Sequence, residues 1–396
     1  MQNAMIYSEN LNGHRQVYVF VIATILYKLG YKVVVVANFS QNVSNSFYID
    51  QFKLIDNLDT IDIGLPPYNG IVNVSKIIKL QKSNQITISI FSDADHHISL
   101  FNQQLFSGKK KLIGRNIGIF IRPFYFYHKH SIWERLKYII NLRNNWRFDA
   151  RLFHEFFSTR FNLLNCALHI DDNFASFHKK VSWIPDVFQQ FADKVIINEC
   201  ASQRNWIEKI NDFKSRNNGN FIVLYFGTAN QRKGYDVLLK LADDNNACFI
   251  HCGLNDSSQE YNIDVENIKK KLEEEDRLLE TNEFISDPLT IEWFFKSTTH
   301  LVLPYRNFLG SSGIMLQALG YGVPVLVPDY GLMGFRVKKY NLGLTFSKTA
   351  IDLNDQFLNF IHTPIEVFAN SIRDYMKIQS VNHLEEVLSN VLKKAE

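Results

Sequence analysis

Short apolar runs of strand length recur along this chain, each closed by a glycine or polar loop, with helically spaced apolar residues between them. The second half shows the pattern most clearly. Phe221–Phe226 is a continuous apolar run, Gly227-Thr228 turns the chain, and Val237, Leu238 and Leu241 recur at helical spacing across Tyr235–Leu241. Further strands are expected at Ala247–Cys252, Glu283–Ile285, Leu301–Leu303 and Val323–Val327, with helical stretches between them. The first half opens the same way. A strand at Ala4–Tyr7 leads through the polar glycine loop Asn10–Arg15 into a helix at Gln16–Leu29; strands follow at Lys32–Ala37 and Ile86–Phe91. Strands alternating with helices predict parallel sheets covered on both faces, with ligands received at the carboxyl ends of the strands. The fold class is therefore α/β, built as two Rossmann-like, doubly wound domains.

Length supports the division, because 396 residues exceed one ordinary core. The expected domains are 1–195 and 196–363, followed by C-terminal helices over 364–396. Trp183-Ile184-Pro185-Asp186 closes the last strand of the first domain, 187–215 is the expected hinge and connector, and polar residues Asn211–Asn220 lead into the second. Beyond Pro364 the run Ile365–Lys394 is helical, with no sheet pattern. The four cysteines, Cys166, Cys200, Cys248 and Cys252, have neither disulfide nor zinc spacing, and Cys248 and Cys252 share one strand face as small core residues. The apolar N-terminal helix is interrupted by Gln16, Tyr27 and Lys28 and lacks a cleavage site. Neither signal peptide nor membrane span is read, so a cytoplasmic or peripheral protein is expected.

Two glycine loops bring in chemistry. Gly310-Ser311-Ser312-Gly313 lies between a strand and a helix, and Tyr330–Gly334 follows the next strand. Free N–H groups at a helix start, with the positive end of its dipole, suit a phosphate or diphosphate. The serines add hydroxyl donors without bulk, and Gly310 and Gly313 let an anion approach the backbone. A tight strand-to-helix turn uses the same residues for steric reasons alone. Arg232 and Lys233, beside Gly234, stand at a helix start where cations oppose the dipole, a conflict that an anionic ligand removes.

Over residues 221–346 these features resemble the donor-binding domain of GT-B glycosyltransferases, most similar to the large retaining family 4, or group 1, of bacterial surface-glycan type. The family's strand-glycine-loop-Lys-Gly motif is matched by Gly227 and Lys233-Gly234, its A-x-x-x-G-x-P-V element by Ala318 and Gly322-Val323-Pro324-Val325, and its D-x-G-x-x-G segment by Asp329–Gly334. Two acidic positions depart from the pattern. Where the ribose-binding acid is expected stands Gln317, whose amide can still donate and accept hydrogen bonds. Eight residues earlier, where an acid touching the donor sugar is expected, stands Leu309. The resemblance implies a GT-B architecture with a ligand cleft between the domains and a tail crossing back to the first. It implies a UDP- or GDP-sugar donor, retention of configuration, a glycan or lipid-linked acceptor, and no cofactor. The implied donor-binding set is Gly227, Arg232, Lys233, Asn307, Gly310, Ser311, Ser312, Gly313 and Gln317.

In the first half, the βαβ start resembles the N-terminal half of GT-B enzymes, and the resemblance implies that Gly13, His14 and Arg15, in the loop after the first strand, face the cleft at the acceptor site. The strand Ile86–Phe91 runs into Ser92-Asp93-Ala94-Asp95-His96-His97. Asp-x-Asp after a strand is the metal signature of the other glycosyltransferase architecture, and carboxylates suit magnesium or manganese. A GT-B enzyme offsets the leaving charge with helix dipoles and basic side chains, so no metal is expected. His14, Asp93, Asp95 and His96 are then catalytic candidates for acceptor or donor-sugar contacts, with plain loop polarity as the alternative. Residues 109–151 carry eleven lysines and arginines against two acids, interleaved with aromatics, whereas the whole chain is only +3. No nucleic-acid module accompanies them. An anionic membrane surface is one partner for that stretch, and a charged helix packing its aromatics inward is the other reading. Two rivals to a transferase remain: a non-catalytic nucleotide-sugar-binding or partner protein, favoured by Leu309 and Gln317, and a GT-B-fold epimerase.

Overall fold

Apolar strands of this chain pair in two separate parallel sheets. The structure is a computed structural model describing residues 2–8, 11, 14–39, 52, 55–64, 74–94, 112–121, 164–177, 181–187, 201–255, 263–285, 287–347 and 350–393. Met1–Val187 together with Ser380–Glu396 form one unit, and Phe188–Gln379 form the other. The divisions at 187/188 and 379/380 stand beside the boundaries at 195/196 and 363/364 read from sequence.

The first unit holds β1 (Asn3–Ser8), β2 (Lys32–Ala37), β3 (Leu58–Asp62), β4 (Ile86–Phe91), β5 (Arg115–Phe120), β6 (Cys166–His169) and β7 (Val181–Trp183). Their order is β3-β2-β1-β4-β5-β6-β7, parallel throughout. Helices α1 (His14–Lys28), α2 (Val74–Ser83) and α3 (Asp172–Phe177) join them. Helix α1 is apolar nearly all round because it shares one buried cluster with Val33 and Val35 of the sheet and with Leu384 and Leu388 of the last helix, Val381–Lys393. The guanidinium of Arg115 donates to the carbonyls of Val391 at 2.5 Å and Leu392 at 2.9 Å, a cation on the negative end of that helix. One basic residue of the 109–151 stretch is thereby used structurally; apart from 112–121, that stretch lies outside the described residues.

The second unit holds β8 (Ile222–Phe226), β9 (Cys248–Cys252), β10 (Leu278–Glu280), β11 (His300–Val302), β12 (Val325–Pro328) and β13 (Gly343–Phe346), in the parallel order β10-β9-β8-β11-β12-β13. Its helices are α4 (Ala201–Arg216), α5 (Tyr235–Asp244), α6 (Ile263–Glu274), α7 (Pro288–Lys296), α8 (Gly313–Gly320), α9 (Gly331–Tyr340), α10 (Ala350–His362) and α11 (Glu366–Ile378). The edge strand lies at Leu278–Glu280 and not at Glu283–Ile285, because the half-buried edge tolerates Glu280 and lacks a clean apolar run. Much of the expected connector is helix α4, whose Trp206, Ile210 and Phe213 face the core. The expected loop Tyr330–Gly334 is the start of α9. A Cβ at Gly334 would stand 2.5 Å from the carbonyl carbon of Asp329, so glycine there lets the helix close on its strand.

In each sheet the order reverses once, between β1 and β4 and between β8 and β11, and such a reversal opens a crevice at the carboxyl ends. Cys166, Cys248 and Cys252 are free thiols, and burial pushes those of Cys248 and Cys252 up; Cys200 lies outside the described residues. Among the described residues no helix is long and apolar enough to cross a membrane, and no cluster of metal-ligating side chains occurs.

Candidate functional site

In the second unit the reversal falls between the loop after β8, residues 227–234, and the loop after β11, residues 303–312. The first loop is tightly stitched. Gly227 N–H donates to Cys252 O at 2.8 Å, Ala229 N–H to Leu254 O at 2.8 Å, and Tyr225 Oη to Thr228 O at 3.0 Å. Gln231–Lys233 form a single 3-10 turn, which the Asn230 side chain caps by accepting from Lys233 N. Gly234 then takes a left-handed φ of +73°, and a Cβ there would stand 2.5 Å from Pro304 O, so the two loops touch at this glycine.

Lys233 folds back over the turn. A Cβ at Gly227 would stand 2.6 Å from its Nζ. Burial, and then the charge of Arg232, pull the Lys233 ammonium below its ordinary pKa. Among the described residues neither Lys233 nor Arg232 has a carboxylate partner. Two adjacent cations, one largely out of water and neither paired with an acid among the described residues, are an arrangement that suits an anion. The Asp236 carboxylate in the first turn of α5 is held by Arg306, with Nη2 at 2.7 Å from Oδ2, so it does not neutralise them. Arg306 also donates its backbone N–H to Arg232 O at 2.9 Å and its Nη1 to Gln231 O at 2.7 Å. Sequence reading missed Arg306; its only local signal is a lone arginine after a strand.

The second loop ends in the N-terminus of α8. Ser312 is its N-cap, accepting from Met315 N at 3.3 Å; its hydroxyl also meets the buried Tyr305 phenol, whose pKa burial raises. Its side chain therefore serves the fold first, and the loop's offer to a ligand is its backbone. Gly310 has no steric reason to be glycine: a Cβ would meet only Phe308, at 3.6 Å, and its φ is not left-handed. Gly313 and Gln317 are four residues apart on one face of α8. Gln317 Oε1 is buried and has no hydrogen-bond partner among the described residues. Asn307 adopts a φ of +54°, and its N–H donates to Tyr330 Oη at 3.0 Å, so its residue type answers to the turn. At Leu309 the backbone is tied to α9, with Leu332 N–H donating to its carbonyl at 3.0 Å.

In the first unit, the reversal between β1 and β4 brings Arg15 and Asp93 together as an ion pair, Nε to Oδ2 at 2.6 Å, with Asp93 buried. Two residues assigned to separate roles thus hold one another. His14 is the first residue of α1; Gly13, Asp95 and His96 lie outside the described residues.

No protein-family model matches the chain, and no curated protein matches it in sequence. Solved structures do match in fold. Sucrose-phosphate synthase from Thermosynechococcus elongatus superposes with a TM-score of 0.66 at 12% identity, over 100% of this chain and 99% of that one. A glycosyltransferase from Rickettsia africae gives 0.65 at 12% identity, over 99% and 98%. HepE from Anabaena, in complex with UDP, gives 0.64 at 12% identity over 100% of both chains. At this identity the likeness is one of fold.

Proposed function

We propose that this chain, which has the GT-B fold, is a glycosyltransferase whose second unit binds a nucleotide-sugar donor. One observation carries the reading: the desolvated Lys233 ammonium, with Arg232 beside it and no acid among the described residues to neutralise either, lies over a glycine turn where the strand order reverses. The diphosphate takes the Lys233 and Arg232 charges together with the backbone N–H groups of Ser311, Ser312 and Gly313 at the positive end of α8. As the sugar leaves, negative charge grows on the diphosphate, and donors already in place stabilise it without reorganising. Gln317 takes a ribose hydroxyl. The sugar moves with retention to a glycan or lipid-linked acceptor at the first unit, where Arg15 and Asp93 pair. A lipid-linked acceptor also fits the basic, aromatic-rich 109–151 stretch; failure to float with anionic vesicles would remove that part.

The fold and the UDP complex of a structural neighbour support the donor class. The test is release of UDP or GDP from a panel of nucleotide sugars, with and without lipid-linked acceptors. Release with one matched donor is expected. Leu309, where the family acid is absent, favours a second reading, a non-catalytic nucleotide-sugar binder. Tight donor binding with neither transfer nor hydrolysis would decide for it.

A further inference from the structure

Beneath the glycine turn lies a buried charge network that the proposed chemistry does not itself use. His251, near the end of β9, is fully buried. Its Nδ1 is 2.7 Å from Glu280 Oε1, and its Nε2 is 3.1 Å from the Gly227 carbonyl oxygen. Glu280 is in turn met by Lys269 Nζ at 2.5 Å and by the Tyr235 hydroxyl, which donates at 3.3 Å. Burial pushes the Glu280 carboxyl up, but the hydrogen bonds from His251 and Lys269 outweigh it and hold it down at about 2. Glu280 is therefore an anion at neutral pH and can only accept. A backbone carbonyl can only accept as well. Hydrogen bonds to both acceptors require both ring nitrogens of His251 to donate.

The Gly227 peptide is gripped from three sides. Its N–H donates to Cys252 O, its carbonyl accepts from His251, and its Cα closes on Gly253, where a Cβ would stand 2.3 Å from Gly227 O. We propose that His251 is a positioning residue for the donor loop, an imidazolium that holds the Gly227 carbonyl and so fixes the turn over which Lys233 lies. This inference rests on the donor-site reading above and adds to it a residue from outside the loops. The groups facing the ring are Glu280 from β10, with Lys269 of α6 behind it, and the phenols of Tyr225 from β8 and Tyr235 from α5, at ring separations of 5.3 and 5.0 Å. A ring with a single N–H would leave either Glu280 or the Gly227 carbonyl without its donor.

Two measurements on the full chain test this. In 1H–15N spectra of histidine-labelled protein at pH 7, both His251 nitrogens should be of the protonated type, the signal being assigned by its loss in His251→Gln. A neutral ring would overturn the charged grip. Calorimetric titration with UDP and GDP then compares wild type with His251→Leu and His251→Gln, with thermal melts as a check on folding. His251→Leu should bind the preferred nucleotide at least about tenfold more weakly, and His251→Gln, whose amide can donate to Gly227 O, should recover most of that loss. Equal affinity in wild type and both variants would overturn the positioning role and leave the donor site standing. Wild type binding neither nucleotide would instead overturn the donor-site reading. Should His251→Leu fail to fold, His251→Met, which also lacks a donor, takes its place in the same comparison.

Discussion

Replacing Lys233 by Met removes the ammonium while keeping the length of the side chain. At neutral pH the two consequences have opposite signs. Burial has lowered the folded pKa of Lys233 below its unfolded value, so the unfolded chain binds the proton more tightly. The charged lysine therefore costs the fold stability at every pH below its folded pKa, and that cost disappears only as pH rises toward the unfolded value of about 10.4. Lys233→Met should leave the melting midpoint unchanged or raise it. Nucleotide binding should move the other way. A charge-assisted hydrogen bond contributes about 1.5–3 kcal/mol, which corresponds to about 10- to 150-fold in affinity for the nucleoside diphosphate. Calorimetry with UDP and GDP, paired with thermal melts of the same samples, reads both signs. A gain or no change in midpoint with a large loss of affinity is the signature of a functional cation kept at the expense of stability. Unchanged affinity, or binding lost together with several degrees of melting temperature, would refute the reasoning.

Gly310→Ala should melt at or slightly above the wild-type midpoint, because the new methyl makes an ordinary contact with Phe308, yet it should weaken nucleotide binding; undiminished affinity in titration would show that no ligand approaches there. Gln317→Glu should keep or improve nucleotide affinity and Gln317→Leu should lose it, and a tolerated leucine would move the ribose contact elsewhere. His300 is buried edge-on to Phe360, and burial outweighs the nearby backbone acceptors to bring its pKa down to about 4. The unfolded chain, with a histidine near 6.5, takes up a proton between pH 6.5 and pH 4 that the fold refuses, so stability falls as pH drops through that window, by about 2 kcal/mol at pH 5. Urea unfolding of wild type and His300→Phe at pH 7.5 and pH 5 should show the gap between the two pH values narrowing in the variant; parallel losses would contradict it.

Central strands with continuous apolar runs were legible: β2 and β4 lie where Lys32–Ala37 and Ile86–Phe91 were read, and β8 differs from its reading by one residue, whereas β5, which begins at Arg115 in the basic stretch, and the four-residue β6 were not read. The edge strands β3 and β10 were not legible. Leu58–Asp62 carries two aspartates and Leu278–Glu280 a glutamate, since a half-exposed strand needs no apolar run. Helix α4 hid behind its polar face, although Trp206, Ile210 and Phe213 recur at helical spacing. The loop glycines at 227, 310 and 313 and Lys233 stood out through local chain chemistry. The groups that tie those loops down did not, because Arg15–Asp93, Arg306–Asp236 and His251–Glu280 are partners 78, 70 and 29 residues apart, and only the sheet order brings them together.

The most direct measurement is a crystal structure of the chain grown with UDP or with GDP. The account predicts the diphosphate between the Gly227 turn and the start of α8, its oxygens within hydrogen-bond distance of Lys233 Nζ and the N–H groups of Ser311–Gly313, with a ribose hydroxyl on Gln317. A nucleotide bound anywhere else on the chain, with this loop pair left open to solvent, would contradict it.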